Sequence, residues 1–436
     1  MLWPGPPTLF ERRGRGKLNI GKPGWALFVL TAISTCGFID RIVMNVLVQP
    51  IKAEFRLTDL QIGLVAGFAF ALLNVVLGLW LSRVAERRRR LTLVGIGTFL
   101  WSVATAACGM ATSFATLALA RVGVGVGEAF GLPSTQSVVS DYFPKEKRTT
   151  ALSVLLLAPP IGAFLGSAGG GMIAQGWGWR AAFVIASIPG FVLSLLVLLT
   201  VAEPPRGQHD DLGGAGETIP PLSAVLARMW RRHSLRHLLA GSAIASMAGF
   251  GVNAFLAAFL ARRFGYSIAE AAVAAGLLTS APATLGVFGA GWLADRMARR
   301  DPHAYCTIPG WSLVLAAPIY IVAVTRETAG AAIALLALAA LVQYCYLGPS
   351  QGVFQNQMHP RMRASSTAAI TLVYSLVGGG LGPALVGGLS DHFAMRNGEV
   401  GGLTTALAIT ALFYLWAAAH FFWGTRRIRE ELALPL

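Results

Sequence analysis

The stretch that decides the fold runs from Phe114 to Val139 and reads FATLALARVGVGVGEAFGLPSTQSVV. It is long and apolar enough to cross a bilayer, yet it contains Arg121 and Glu128. Seven residues separate these two, so on a helix they lie on nearly the same face, about 10 Å apart along the axis. Ionisable side chains at membrane depth are costly and usually mark a pathway or a binding site. The stretch therefore predicts a membrane helix with two functional charges.

The rest of the chain repeats this apolar pattern. Its 436 residues are 55% hydrophobic and only 13% charged, which is too little charge for a soluble protein of this length. Twelve stretches can span about 30 Å of hydrocarbon. They lie near residues 25–47, 60–81, 91–111, 114–138, 149–173, 179–201, 236–261, 268–294, 305–324, 329–351, 364–389 and 402–424. The sequence predicts an all-α membrane protein of twelve transmembrane helices.

Basic residues in the loops set the predicted orientation and domains. The net charge of +15 is spread over short loops and is not clustered on one soluble domain, so no nucleic-acid partner is expected. The arginine-rich loops fall on one side of the membrane, which is therefore predicted to be the cytoplasmic side, and both termini lie on it. The predicted location is the bacterial inner (plasma) membrane. The predicted units are an N-terminal tail (1–24), a six-helix bundle (25–201), a cytoplasmic loop (202–235), a second six-helix bundle (236–424) and a C-terminal tail (425–436).

The two bundles are internal repeats. Three segments recur at offsets of 213 to 216 residues: Gly78–Arg83 with Gly291–Arg296, Asp141–Arg148 with Asn356–Arg363, and Gly162–Gly166 with Gly378–Gly382. Parallel repeats of six spans are typical of one transporter architecture, in which the substrate binds near the bilayer midplane between the repeats. The sequence therefore predicts two pseudo-symmetric bundles around a central site.

These motifs resemble those of the major facilitator superfamily. Residues 291–300, GWLADRMARR, match the family's loop motif GxLaDRxxRR, whereas the first-half copy has Ser82 in place of the aspartate. Residues 121–125, RVGVG, resemble the RxxxG signature that the family links to proton coupling. The resemblance implies an alternating-access transporter, which we expect to be a monomer. The predicted gating residues are Ser82, Arg83, Asp295, Arg296 and Arg299.

Within the superfamily the chain looks most like the Spinster branch. Residues 38–41 (FIDR), 50–55 (PIKAEF), 59–63 (DLQIG) and 141–144 (DYFP) carry this likeness. Spinster proteins are associated with export of lysolipids and sphingosine-type phospholipids, so the resemblance implies a lysolipid or sphingoid lipid as substrate. Anion transporters of the superfamily share the pair Asp40 and Arg41, which leaves a small organic carboxylate as the alternative.

Helix geometry predicts which first-half charges meet. At about 1.5 Å per residue, Asp40 on the outward-running first span and Arg121 on the inward-running fourth span lie at similar depths and are expected to pair. Arg41 is turned by about 100° from Asp40 and should face a different neighbour. Glu128 lies about two turns deeper than Arg121, with no cation evident at its level. A poorly solvated carboxyl without a cation keeps its proton more readily, so Glu128 is the first candidate for proton carrier and Asp40 the second.

The repeat places neutral amides where the first half has acids. An offset of 213 takes Asp40 to Asn253, and an offset of 215 takes Glu128 to Gln343. An amide can form hydrogen bonds but cannot take up a proton, so proton coupling is assigned to the first half, to Glu128, Asp40, Arg121 and Arg41. The second half should form an uncharged wall that faces a lipid-like or organic substrate. The predicted substrate-binding residues are Arg41, Arg121, Glu128, Asn253, Gln343, Tyr344 and Tyr374.

The predicted function is proton-coupled transport of an amphiphilic or organic anion, with protons, substrate and membrane lipids as partners. With both acids ionised the four first-half charges sum to zero, and protonation leaves a positive excess that favours an anionic headgroup. Symport of a small carboxylate and passive lipid scrambling are the alternatives. No motif of a membrane enzyme and no Walker motif appears, so no catalytic residues, cofactor or metal are expected.

Overall fold

The computed structural model describes residues 22–68, 71, 77, 89–130, 132–144, 151–152, 154–155, 157–205, 222–358 and 362–433. Two of the predicted gating residues, Ser82 and Arg83, lie outside the described residues. Within these ranges the chain forms helices joined by short connections, and the described residues contain no strand.

The first half begins with a long helix and a short outer helix, followed by the start of the second span. Its elements are α1 (Pro23–Val46), α2 (Val48–Phe55), α3 (Asp59–Gly63) with a π-helical continuation (Leu64–Phe68), α4 (Arg90–Gly109), α5 (Phe114–Ala129), α6 (Leu132–Tyr142) and α7 (Ala158–Thr200). Helix α5, which carries the charged stretch, starts at a capping box in which Ser113 and Thr116 satisfy each other's backbone N–H groups. This cap fixes the start of the helix that carries Arg121 and Glu128.

The second half repeats this arrangement after a short amphipathic helix. Its elements are α8 (Leu222–Arg231), α9 (His233–Phe264), α10 (Ile268–Ala298), α11 (Ala304–Thr325), α12 (Ala329–Gln343), a 3-10 turn (Tyr344–Tyr346), α13 (Leu347–Gln357), α14 (Arg363–Val373), a π-helical segment (Tyr374–Leu381) and α15 (Gly382–Ala433). Helix α15 continues through most of the predicted C-terminal tail. There the buried Glu431 carboxylate accepts hydrogen bonds from the main-chain N–H groups of His233 and Ser234, so it caps the start of α9.

The described helices account for eleven of the predicted twelve spans and for the start of the remaining one. Nine helical runs in the described chain are long and apolar enough to cross a membrane. Two of these runs each hold two spans, because α7 breaks at Gly178 (φ 83°) and α15 breaks at Gly398 (φ 70°). Glycine adopts such positive φ values without steric cost. The remaining span, the second, is described mainly at its start, Asp59–Phe68. The protein is an all-α membrane protein with the predicted twelve-helix architecture.

The two halves pack closely at one end of the molecule. We call this the outer end, since it is predicted to face away from the cytoplasm, and the opposite end the inner end. A Cβ atom added to Gly63 would lie 2.3 Å from the carbonyl oxygen of Pro383, and one on Gly387 would lie 2.2 Å from that of Asp59. One on Gly171 would lie 2.2 Å from the Ala272 side chain. Glycine at these positions therefore lets the two bundles approach more closely than a larger residue would allow.

Candidate functional site: buried charges in the first half

The centre of the site is an ion pair between Arg41 on α1 and Glu128 on α5. Arg41 donates from Nε to Glu128 Oε2 at 2.8 Å, and its Nη2 atom contacts the same oxygen. Glu128 is buried, whereas the Arg41 side chain is 26% exposed. The prediction that no cation lies near Glu128 is wrong, because the long Arg41 side chain spans the gap between the two helices. Glu128 is thus held by a cation that can also be reached by a ligand.

A second acid, Asp40, lies one residue from this pair and is buried on all sides. Thr105 on α4 donates from Oγ1 to Asp40 Oδ2 at 3.1 Å. Arg121 donates from Nη1 to the main-chain oxygen of Asp40 at 3.4 Å. The structure therefore brings Asp40 and Arg121 together at similar depth, and it adds Thr105, which the sequence analysis did not identify.

Both acids keep one oxygen that is buried and not engaged. Asp40 Oδ1 and Glu128 Oε1 have no hydrogen-bond partner among the described residues. Asp40, Arg121 and Glu128 are 1%, 1% and 5% exposed, so all three are shielded from lipid. A buried carboxylate oxygen without a donor is costly when charged. Each acid therefore keeps one oxygen that no described hydrogen-bond donor stabilises.

A cavity of about 220 Å³ opens beside the Arg41–Glu128 pair. Both members of the pair line it, together with Phe38, whose ring centre lies 5.2 Å from the Arg41 guanidinium carbon. Most of the remaining wall is apolar, and the polar contribution includes Thr135 and Gln136. The other lining residues are Ile33, Ser34, Gly37, Trp101, Leu155, Ala158 and Pro159. A charged end beside an apolar wall suits a molecule with an anionic group and a hydrocarbon part.

The second half carries a neutral polar cluster at the positions that the repeat predicts. Asn253 donates from Nδ2 to Tyr344 Oη at 2.8 Å. Tyr320, which the sequence analysis missed, donates from Oη to Gln343 Oε1 at 2.5 Å. Gln343 is buried, while Asn253 and Tyr344 are partly exposed, as is Tyr374 at the start of the π-helical segment. Hydrogen bonds join Asn253 to Tyr344 and Gln343 to Tyr320, and the described part of this cluster contains no carboxylate.

The predicted gating residues of the second half lie at the inner end of α10. Tyr305 donates to Asp295 Oδ1 at 2.9 Å, and the Arg296 guanidinium lies 5.6 Å from the Trp292 ring centre. Asp295, Arg296 and Arg299 are all exposed. Among the described residues, Asp295 and Arg296 therefore contact only their own half.

A cluster that the sequence did not predict joins the halves at the outer end. We call Asp59, Arg262, Ser390 and Asp391 the outer latch. Arg262 of α9 donates to both carboxylate oxygens of Asp59, each at 2.7 Å, and Ser390 donates to Asp59 Oδ2 at 2.7 Å. Asp391 accepts from the main-chain N–H groups of Asp59 and Leu60 at 2.8 and 2.7 Å. The first half therefore supplies one carboxylate and a helix start, and the second half supplies their partners.

The charge of the outer latch is insensitive to ordinary changes in pH. Asp59 precedes the predicted second span. Burial alone would raise the pKa of its carboxyl, but the hydrogen bonds and charge of Arg262, with smaller contributions from Ser390 and Lys52, lower that pKa to about 2. A lowered pKa stabilises the closed latch at any pH above the usual carboxyl range, and this stabilisation is lost only as the pH falls towards 2. The latch therefore stays charged under physiological conditions.

Repeated bundles of membrane-crossing helices, with buried charges beside a cavity, are typical of a membrane transporter. The sequence profile of the major facilitator superfamily matches residues 29–383, so the chain belongs to this superfamily of membrane transporters and is not an enzyme.

Three comparisons relate the chain to the Spinster branch and to an exporter. It is 33% identical over 407 residues to an MFS-type efflux pump of Mycolicibacterium smegmatis, which covers 93% of this chain and 94% of the relative. It is 24% identical over 401 residues to a probable sphingolipid transporter, spinster homolog 1, of Arabidopsis thaliana, covering 86% and 79% of the two chains. The crystal structure of a bacterial homologue of the human lysosomal transporter Spinster, inward-facing and occupied, superposes with a TM-score of 0.86 at 30% identity, over 95% of this chain and all of that one.

Proposed function

We propose that the protein is a proton-coupled transporter of an amphiphilic anion, with a lysolipid or sphingoid phosphate as the substrate class. The observation that carries this proposal is the buried Glu128 carboxylate bound to Arg41 at the edge of the cavity. The proposal also rests on the superfamily membership of the chain and on the efflux and sphingolipid transport activities that are named for its relatives.

The Arg41–Glu128 pair provides a mechanism that couples proton uptake to anion binding. When Glu128 takes up a proton, it loses its negative charge, and its attraction for Arg41 weakens. Arg41 is then available for a phosphate or carboxylate in the cavity, and its planar guanidinium can bind such a group through two hydrogen bonds. When Glu128 loses its proton, it competes with the anion for Arg41. Protonation and substrate binding therefore favour each other.

The outer contacts support an inward-facing state. The halves meet at the outer end through the outer latch and the glycine contacts, whereas the described gating residues at the inner end are exposed. We infer that the cavity is open towards the cytoplasm and that transport needs the latch to separate. In this arrangement the protein lies in a bacterial inner membrane as a monomer, with both termini in the cytoplasm.

Flux measurements in proteoliposomes test the proposal. A fluorescent lysolipid or sphingoid phosphate is loaded on one side, and its appearance on the other side is followed with and without an imposed pH gradient. We expect the gradient to drive net movement against a substrate gradient, because uptake and release of protons change the relative energies of the two open states. Lipid movement that is the same with and without the pH gradient would indicate passive scrambling. Gradient-driven movement of small carboxylates, with none of the lipids, would contradict the proposed substrate class.

A further inference from the structure

Thr105 uses its hydroxyl differently from the neighbouring hydroxyls of α4. The Thr98 and Ser102 side chains donate to main-chain oxygens four residues earlier in the same helix, at 2.7 Å each. This is the usual arrangement for such residues inside a membrane helix. Thr105 is equally buried but donates to the Asp40 carboxylate on α1. Its hydrogen bond therefore links two helices and ends on an acid of the site.

Several charged or titratable groups lie near Asp40, but the described side chain that donates a hydrogen bond to its carboxylate is Thr105. Arg121 of α5 contributes positive charge and a hydrogen bond to the main-chain oxygen of Asp40. Glu128, also on α5, contributes negative charge and is paired with Arg41. Two thiols, Cys36 on α1 and Cys108 on α4, are close enough to Asp40 to interact electrostatically with it. The carboxylate thus has one oxygen on Thr105 and one, Oδ1, with no hydrogen-bond partner among the described residues.

We propose that Thr105 is a positioning residue that sets the pH range of transport by holding the Asp40 carboxylate. This rests on the proposed proton coupling through Glu128, whose charge interacts with that of Asp40. A hydroxyl that donates to a carboxylate stabilises its ionised form. The same hydroxyl fixes Oδ2 and directs the proton to Oδ1, the unengaged oxygen. Thr105 carries no charge and is not among the residues that line the cavity, so its effect acts through its hydrogen bond to Asp40.

The test compares Thr105→Val with Thr98→Val across a series of pH values in the proteoliposome flux assay. Valine keeps the shape of threonine but removes the hydroxyl. For Thr105→Val the pH of half-maximal transport should rise by about one unit, since one hydrogen bond to the ionised form is lost. Thr105→Ser should restore the wild-type midpoint. Thr98→Val, on the same helix with a hydroxyl bonded only to its own helix, should leave it unchanged.

Two outcomes would overturn the inference. One is a Thr105→Val midpoint equal to that of the wild type, while Asp40→Asn shifts the midpoint; the proposed function then survives and Thr105 has no role in it. The other is wild-type transport that does not depend on pH, which overturns the proposed function as well. If Thr105→Val does not assemble, Thr105→Ala provides the same comparison, with the same expected rise.

Discussion

Replacing Asp59 by asparagine should move most molecules from the inward-facing to the outward-open state. The substitution removes the charge that holds Arg262, whose side chain is only 7% exposed. Breaking one side of a buried pair costs about 3 kcal/mol or more, because the remaining charge stays buried without compensation. That cost falls on the closed outer end alone, since Arg262 becomes solvated when the halves separate. A change of about 3 kcal/mol alters the ratio of the two states by about 100-fold.

Distances between spin labels at the outer end report this shift. Trp177→Cys in the first half and Met395→Cys in the second half provide exposed labelling positions, 73% and 80% exposed. The distance between the labels should lengthen in the Asp59→Asn protein. Glu54→Gln is the matched control, because Glu54 also lies at the outer end in an ion pair, but with Arg180 of its own half. A distance that stays at the wild-type value in Asp59→Asn would show that the outer latch does not hold the halves together.

Replacing Arg41 by glutamine should weaken substrate binding by about 10- to 100-fold, since hydrogen bonds to charged groups contribute about 1.5–3 kcal/mol each. Two effects combine in this variant. The anion loses its cation in the cavity, and Glu128 loses its partner while remaining buried. Arg41→Lys should recover part of the affinity, because lysine restores the charge but not the planar pair of donors. Ligand-dependent thermal stabilisation of the purified protein measures the affinity directly.

The control for Arg41 is an arginine that the structure leaves on the surface. Arg427 is exposed near the end of α15, and Arg427→Gln removes the same charge without approaching the cavity. Its affinity for the lipid anion should equal that of the wild type. If Arg41→Gln binds the substrate as tightly as Arg427→Gln does, then the cavity beside Glu128 is not the anion site.

Much of the architecture could be predicted, because membrane helices are specified by local composition. Apolar length determines the spans, and the repeat determines the two-bundle arrangement. The rise per residue was sufficient to place Asp40 beside Arg121, since the depth of a residue in the membrane follows from its position along the helix. The same calculation missed the Arg41–Glu128 pair, because it compared backbone levels. The arginine side chain extends several ångströms from its own level, and its direction depends on tertiary packing.

The outer latch and Thr105 could not be found from local pattern. Asp59 and Arg262 lie at span ends, where charges are common, and they are 203 residues apart, so only the packing of the two halves brings them together. Threonine in an apolar helix usually bonds to its own backbone, so Thr105 gave no distinguishing signal by itself. An offset of 215 relates it to Tyr320, which is likewise bonded to a polar residue of another helix. Comparing the two repeats for hydroxyl groups would have identified both.

The central claim is that protons act through the Glu128 carboxylate, and one measurement tests it most directly. In proteoliposomes containing Glu128→Gln, substrate exchange at equal concentrations is compared with accumulation driven by a pH gradient. Glutamine keeps the size and hydrogen-bonding ability of glutamate but cannot titrate. We predict that exchange continues at a rate comparable to the wild type while gradient-driven accumulation is lost. Accumulation that persists at the wild-type level, with the same dependence on pH, would contradict the account.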